Sequence, residues 1–212
     1  LIGDTVTVPW RRVFLPSKEE RPPHLLVMTP TPIPRTLTLT QYGEMDVSRI
    51  DEMPPGRTPV ETRVISEERL SVVVDGLGRH LSNGGQAYWV CPLVEESEKC
   101  DAAAAEERAR ILRMRFGDDK VGLVHGRMKG PEKDAVMARF AANDLAVLVA
   151  TTVIEVGVDV PNATLMIVEG ADRFGLAQLH QLRGRVGRGT GKSTCLLIRG
   201  QNLTDVGRAR LA

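Results

Sequence analysis

The chain has 212 residues, 42% of them apolar, which is enough to bury a core and too apolar for a disordered tail. Its 28 basic and 27 acidic residues leave a net charge of +1, so no global field draws the molecule onto nucleic acid, and any such binding must come from a local cluster. The scattered cysteines Cys91, Cys100 and Cys195 form no C-x-x-C pair, which argues against a disulfide framework or a zinc site and for a reduced, cytosolic setting.

In chain order, the stretch before His24 carries Pro9, Pro16, Pro22 and Pro23 and reads as loop and edge structure, because proline denies both long helix and central strand. It opens on Leu1 and mixes Asp4, Arg11, Arg12, Lys18, Glu19 and Glu20, with no signal-type apolar run, so the start reads as an internal cut. Residues 24–28 form a short apolar strand that runs into Thr29-Pro30-Thr31-Pro32-Ile33-Pro34-Arg35, where alternate prolines hold the backbone extended. A second knot, Met53-Pro54-Pro55-Gly56, reads as a linker. The expected organisation is a short segment over 1–48 and a main domain over 57–212.

Beyond the linker, short Val-, Ile- and Leu-rich runs alternate with longer segments of helical period. Strands are expected at 61–65, 86–91, 120–124, 146–150, 164–169 and 194–199. Helices are expected at 67–81 after a Ser66 cap, at 102–116 from its Ala, Glu and Arg content, at 131–142 with Pro131 in the first turn, and at 176–186. Such alternation predicts an α/β fold, a parallel sheet flanked by helices. The longest apolar stretch, 145–160, is broken by Glu155 and Asp159 and falls short of the roughly 20 residues a membrane span needs.

The most informative string is Gln178-Leu179-His180-Gln181-Leu182-Arg183-Gly184-Arg185-Val186-Gly187-Arg188-Gly189. On a helix, Gln181, Arg185 and Arg188 stand at i, i+4 and i+7 and share one face, with Gly184 and Gly187 leaving that face open to a close neighbour. Guanidinium forks bind phosphate oxygens bidentately and keep their charge, so the face suits a polyphosphate presented at the mouth formed by the strand ends. The plainer alternative is a solvated basic helix face. Thr151 and Thr152 follow an apolar run and either cap a helix or hold a phosphate at a strand end. His125, Arg127 and Lys129 follow another such run and could touch nucleic-acid phosphates, although a lone loop histidine is more often structural. Tyr88 and Trp89 fall inside an apolar strand and read as core. Gly187 to Thr194 ends in G-K-S-T, but Val186 stands where a phosphate loop needs glycine, and the expected order is helix then strand, the reverse of a true loop.

These strings together resemble the RecG family of superfamily 2 helicases. The segment 178–188 is similar to the family's Q-x-x-G-R-x-G-R motif, Thr151 to Pro161 to T-T-V-x-E-V-G-V-D-V-P, and Thr29 to Thr36 to T-A-T-P-I-P-R-T, departing at Pro30 where the family has alanine. The loop at 124–129 and the run at 88–98 also resemble that family. The resemblance implies a RecA-like helicase C-terminal domain preceded, over 1–48, by a remnant of a first motor domain. It implies that Arg185 and Arg188, with Gln181, act on the γ-phosphate of ATP, Arg188 as the arginine finger, and that Gly157 and Asp159 lie at the nucleotide edge. Thr151 and Thr152, with His125, Arg127 and Lys129, would hold DNA, and Thr29, Thr31 and Arg35 would couple the two domains. No Walker-type lysine or magnesium-binding acidic box is found in this chain, so ATP and Mg²⁺ would be held mainly by the first motor domain, the intramolecular partner. The implied work is branch migration and unwinding of forked, branched or single-stranded DNA in repair and recombination, with no metal ligands and no membrane partner here. Readings kept beside it are the related transcription-repair coupling factors, a non-catalytic DNA-binding module, and a small kinase built on 187–194.

Overall fold

The computed structural model describes residues 5–7, 24–26, 58–92, 98–151, 160–187, 189, 191–201 and 207, with backbone alone at 5–7, 24–26 and 98–101. By contacts the chain divides into two units, Leu1–Asp51 and Glu52–Ala212. In the first, strand β1 (Thr5–Thr7) pairs in parallel with β2 (His24–Leu26), with Thr5 opposite His24. β1 uses the proline-free residues ahead of Pro9. The extended run holding Thr29, Thr31 and Arg35, and the knot at 53–56, lie outside the described residues.

The second unit holds a six-stranded sheet. Its strands are β3 (Glu61–Ser66), β4 (Gln86–Val90), β5 (Val121–Val124), β6 (Val147–Ala150), β7 (Ala163–Val168) and β8 (Thr194–Arg199). They are ordered β3-β8-β7-β4-β6-β5, and every pairing is parallel. Parallel strands need crossovers, and four helices appear in them: α1 (Leu70–Ser82), α2 (Glu98–Phe116), α3 (Gly130–Ala141) and α4 (Leu176–Arg183). With helices on both faces, a central strand has no wet side. Accordingly β4 and β6 are buried at every residue.

The pleat divides the core in two. Tyr88, Val90, Leu148 and Met166 point to the face covered by Met137 and Phe140 of α3 and Leu179 and Leu182 of α4. The rings of Tyr88 and Phe140 meet edge to face at 5.0 Å. Ala87, Trp89, Val149 and Ile167 point to the other face, under Val73 and Leu77 of α1 and Ala105, Ala109 and Leu112 of α2. Each large side chain so buried contributes about 1.5–3 kcal/mol. Like Thr151 and Ser193, Gln86 is a buried polar residue, 1% exposed. Its amide donates to the carbonyls of Phe140 and Leu145, both at 2.7 Å, stitching the end of α3 to the chain entering β6. The edge strand β3 keeps Glu61 to Val64 exposed and carries the pair Arg63–Glu61, charges that discourage strand addition.

Three local readings change. Ser66 is the last residue of β3 and makes no side-chain cap; a 3-10 turn, Glu67–Arg69, comes between it and α1. Helix α2 begins at Glu98, a turn earlier than expected. Helix α4 stops at Arg183, with Gly184 as its C-cap in right-handed helical geometry. Among the described residues, no helix is long and apolar enough to cross a membrane, and no group of His, Cys, Asp or Glu could hold a metal ion.

Candidate functional site at two edges of one sheet

All strands of the sheet run the same way, so it has a carboxyl edge, where loops leave the strands, and an amino edge, where they enter. In parallel α/β sheets the carboxyl edge is the usual place for ligands. Here it carries Cys91, His125, Thr151, Glu169 and Gly200. Val124 and Ala150 are register partners, which sets His125 beside Thr151, and the Thr151 amide donates to the Val124 carbonyl at 3.2 Å.

The expected DNA contacts divide by exposure. Arg127 and Lys129 are exposed, whereas Thr151 is only 3% exposed. The His125 imidazole, 13% exposed, has Nε2 at 3.6 Å from the Glu106 carboxylate of α2. Its Nδ1 is buried and has no hydrogen-bond partner among the described residues. His125 and Thr151 therefore shape the floor of this edge, and Arg127 and Lys129 are the charges that face solvent. The loop is held by α3: the Lys133 ammonium donates to the Gly126 carbonyl at 3.2 Å, the Lys129 amide to the Glu132 carboxylate at 3.3 Å, and the Met128 amide to the His125 carbonyl at 3.2 Å. Thr152, Gly157 and Asp159 lie outside the described residues.

The arginine string stands at the opposite edge. Helix α4 leaves the carboxyl end of β7 and runs back, and the chain beyond it passes the amino ends of the strands. A β-carbon added to Gly187 would meet Val60 at 2.7 Å and Ser193 at 3.6 Å, and one added to Gly189 would meet the Pro161 carbonyl at 2.9 Å. Gln181 and Arg185 do not share a continuous helical face, because the helix ends at Arg183. The Arg185 amide donates to Leu182 in a turn, and Gly187 takes φ +77°, a left-handed conformation that glycine adopts without strain. Gln181 is exposed, Arg185 half-buried, and Arg188 lies outside the described residues. From Phe174 to Thr204 the sequence holds no acidic residue, while it includes Arg183, Arg185, Arg188, Lys192 and Arg199. That is a local cationic stretch in a nearly neutral chain. The residues from Thr151 to Val160 connect the two edges. Four-residue β6 separates them by about 13 Å.

A cluster that composition did not single out lies at the carboxyl edge. Arg108 of α2 grips Glu169 with two donors, Nε to Oε2 at 2.9 Å and a terminal nitrogen to Oε1 at 2.6 Å. The Trp89 indole N–H donates to Glu169 Oε2 at 2.9 Å, and the guanidinium lies over the Trp89 ring, 5.3 Å from its centroid. Burial, with the Glu169 charge, pushes the nearby Cys91 thiol up to about 12, and burial raises Cys195 to about 11. Both thiols stay protonated at neutral pH. The available sequence signal was a buried tryptophan whose indole N–H needs an acceptor.

Residues 68–190 match the helicase conserved C-terminal domain. The chain belongs to that family. The match runs from the 3-10 turn after β3 to just past the arginine string, so the Arg127–Lys129 loop and that string fall inside it. The chain is 56% identical over 191 residues to the ATP-dependent DNA helicase RecG of Escherichia coli, covering 89% of this chain and 27% of that protein. It is 54% identical over 205 residues to RecG of Haemophilus influenzae, covering 95% and 30%, and 53% identical over 177 residues to RecG of Bacillus subtilis, covering 83% and 26%. The helicase domain described here thus spans about a quarter of the length of the curated relatives it matches. Among solved structures, RecG bound to a three-way DNA junction matches 98% of this chain and 27% of that one, with a TM-score of 0.78 and 42% identity. Dbp5 of S. cerevisiae bound to RNA and ADP BeF3 matches 89% of this chain and 47% of that one, with a TM-score of 0.63 and 15% identity, a likeness of fold alone. Within this helicase domain the G-K-S-T string is a connection from α4 into β8, which begins at Thr194. A phosphate loop runs from strand to helix, so the order here is inverted.

Proposed function

We propose that this chain is the second motor domain of a RecG-like, ATP-driven DNA helicase that remodels forked or branched DNA in the cytoplasm. The observation that carries the reading is the separation of two chemistries on one rigid sheet. Exposed Arg127 and Lys129 stand at the carboxyl edge, and a glycine-shaped arginine segment stands at the amino edge. A motor needs such a division, because nucleotide and track must be held apart yet by the same body.

The donor set at the amino edge suits a triphosphate. It offers guanidinium groups and the exposed Gln181 amide with no carboxylate in the local sequence, and forks of this kind match phosphate oxygens. When bound, ATP with Mg²⁺ supplies a γ-phosphoryl group whose transfer to water drives movement; both are held mainly by the first motor domain, the intramolecular partner. Arg185 and Arg188 neutralise charge on the phosphate oxygens, Arg188 as the finger, and Gln181 orients the attacking side. Gly157 and Asp159 border the nucleotide. At the other edge Arg127 and Lys129 hold backbone phosphates, with His125, Thr151 and Thr152 forming the floor. Thr29, Thr31 and Arg35 link the two motor domains, and 1–48 is the remnant of the first.

Such an arrangement predicts negligible ATP turnover by the 212-residue chain alone. In the intact motor, Arg188→Ala lowers DNA-stimulated turnover by about 10³ to 10⁵ with fork affinity unchanged. Robust turnover by the chain alone, lost on Arg188→Ala, would overturn the assignment of which half of the site it holds.

A further inference from the structure

Helix α2 reaches two strand ends of the carboxyl edge, those of β5 and β7. Glu106 stands 3.6 Å from His125, the residue that leaves β5 and opens the Arg127–Lys129 loop. Arg108, two residues later in the chain, grips Glu169, the residue that leaves β7. From Glu169 into α4 a series of contacts holds the chain. The Glu169 amide donates to Val90 at 2.8 Å, Gly170 turns the chain at φ +59° against Pro92, and the Arg173 amide donates back to Gly170 at 2.9 Å. The Phe174 amide donates to Ala171 at 3.3 Å, and the Phe174 side chain is 2% exposed. The Gln178 side chain caps the Gly175 amide at 3.0 Å, and Leu179 and Leu182 bury the helix that follows. Eight-residue α4 then spans about 12 Å as a rod.

We propose that Arg108 is a positioning residue: by holding Glu169 it fixes the turn that launches α4, and so sets where the arginine segment stands relative to the loop that Glu106 holds through His125. This rests on the functional reading above and assigns to α2 the task of keeping the DNA edge and the nucleotide edge in step. Arg108 is engaged by Glu169 and by the Trp89 ring. Its charge does not serve solvation, since its side chain is 16% exposed and both ends of its fork are engaged. A lysine could keep the charge but not the fork.

The test uses the intact motor carrying Arg108→Gln, Arg108→Lys or Glu169→Gln, with Arg185→Ala as control. It measures ATP turnover with and without forked DNA, KM for ATP, fork Kd and melting temperature. Misplacing a reacting group by about an ångström costs up to roughly a hundredfold in rate. DNA-stimulated kcat should therefore fall about tenfold or more in Arg108→Gln and Glu169→Gln, while KM and fork Kd stay within about twofold. Arg108→Lys should recover part of the loss. Stimulation unchanged in both neutral variants overturns the proposal, and so does a loss that merely tracks a fall in melting temperature or a parallel rise in KM and Kd. If Arg185→Ala abolishes turnover while Arg108→Gln leaves stimulation intact, the positioning role alone fails. If Arg185→Ala leaves turnover intact, the functional reading fails and the positioning role with it.

Discussion

Gly184 and Gly187 sit three residues apart in one motif, and replacing each by alanine should give opposite results. Gly187 is buried at φ +77°, and a β-carbon there would come within 2.7 Å of Val60 Cγ2. Left-handed backbone costs alanine about 1–2 kcal/mol, and overpacking against a β-branched neighbour adds about 1–3 kcal/mol. Gly187→Ala should therefore destabilise the 52–212 unit by about 2–5 kcal/mol, shared between the two causes. Gly184 is exposed, caps α4 at φ −70° and ψ −9°, and would place its β-carbon no nearer than 3.4 Å to the carbonyl oxygens of Gln181 and His180. The backbone there already suits any residue, so Gly184→Ala should be neutral or stabilise by about 0.4–1 kcal/mol, by reducing the freedom of the unfolded chain. Urea unfolding followed by circular dichroism separates the two. Midpoints for the two variants within about 0.5 kcal/mol of each other would refute the claim that a left-handed, crowded glycine shapes the arginine segment.

Gln86→Leu removes the amide that donates to the Phe140 and Leu145 carbonyls; Phe140 keeps the Asn143 amide at 3.1 Å, so the loss falls on Leu145 and should cost about 1–3 kcal/mol in urea unfolding. Cys91 and Cys195 should resist iodoacetamide at pH 8 in the folded protein, as mapped by peptide mass spectrometry, because burial keeps both thiols protonated. Their raised pKa values add stability that is complete below the ordinary value of 9.0 and is lost as pH climbs toward about 12 for Cys91 and about 11 for Cys195. A stability curve rising between pH 9 and 11 would contradict that sign. Arg127→Ala and Lys129→Ala should each weaken binding to DNA of any sequence and lower the salt slope by about 1, measured by titration at several salt concentrations. An unchanged slope in both variants would remove the carboxyl edge from the DNA path.

Much of the sheet could be read ahead of the structure because both its faces are covered, so strands such as β4 and β6 announce themselves as short unbroken apolar runs. Their order could not. Placing β8 between β3 and β7 depends on contacts across more than a hundred residues, which no local pattern encodes. The end of α4 was misjudged because a glycine in helical geometry, Gly184, looks the same in sequence as one that breaks a helix; the break comes from the turn beyond it, where Gly187 goes left-handed. The loop from His125 to Lys129 was found by its charges, but charge does not reveal that His125 faces Glu106 and not solvent. Nothing in the sequence sets Arg108 apart from the other arginines of its helix, since only packing brings it to Trp89 and Glu169.

The turn over Ala171–Arg173 has a second attachment. Asp172 Oδ1 accepts the Gly200 amide at 2.9 Å, just where the polypeptide comes off β8. One carboxylate thus pins two strands of traffic, the launch of the arginine helix and the departure of whatever follows Gly200. Tension on the chain leaving β8 would be felt first at this turn, so the exit from that strand and the start of α4 share a fulcrum.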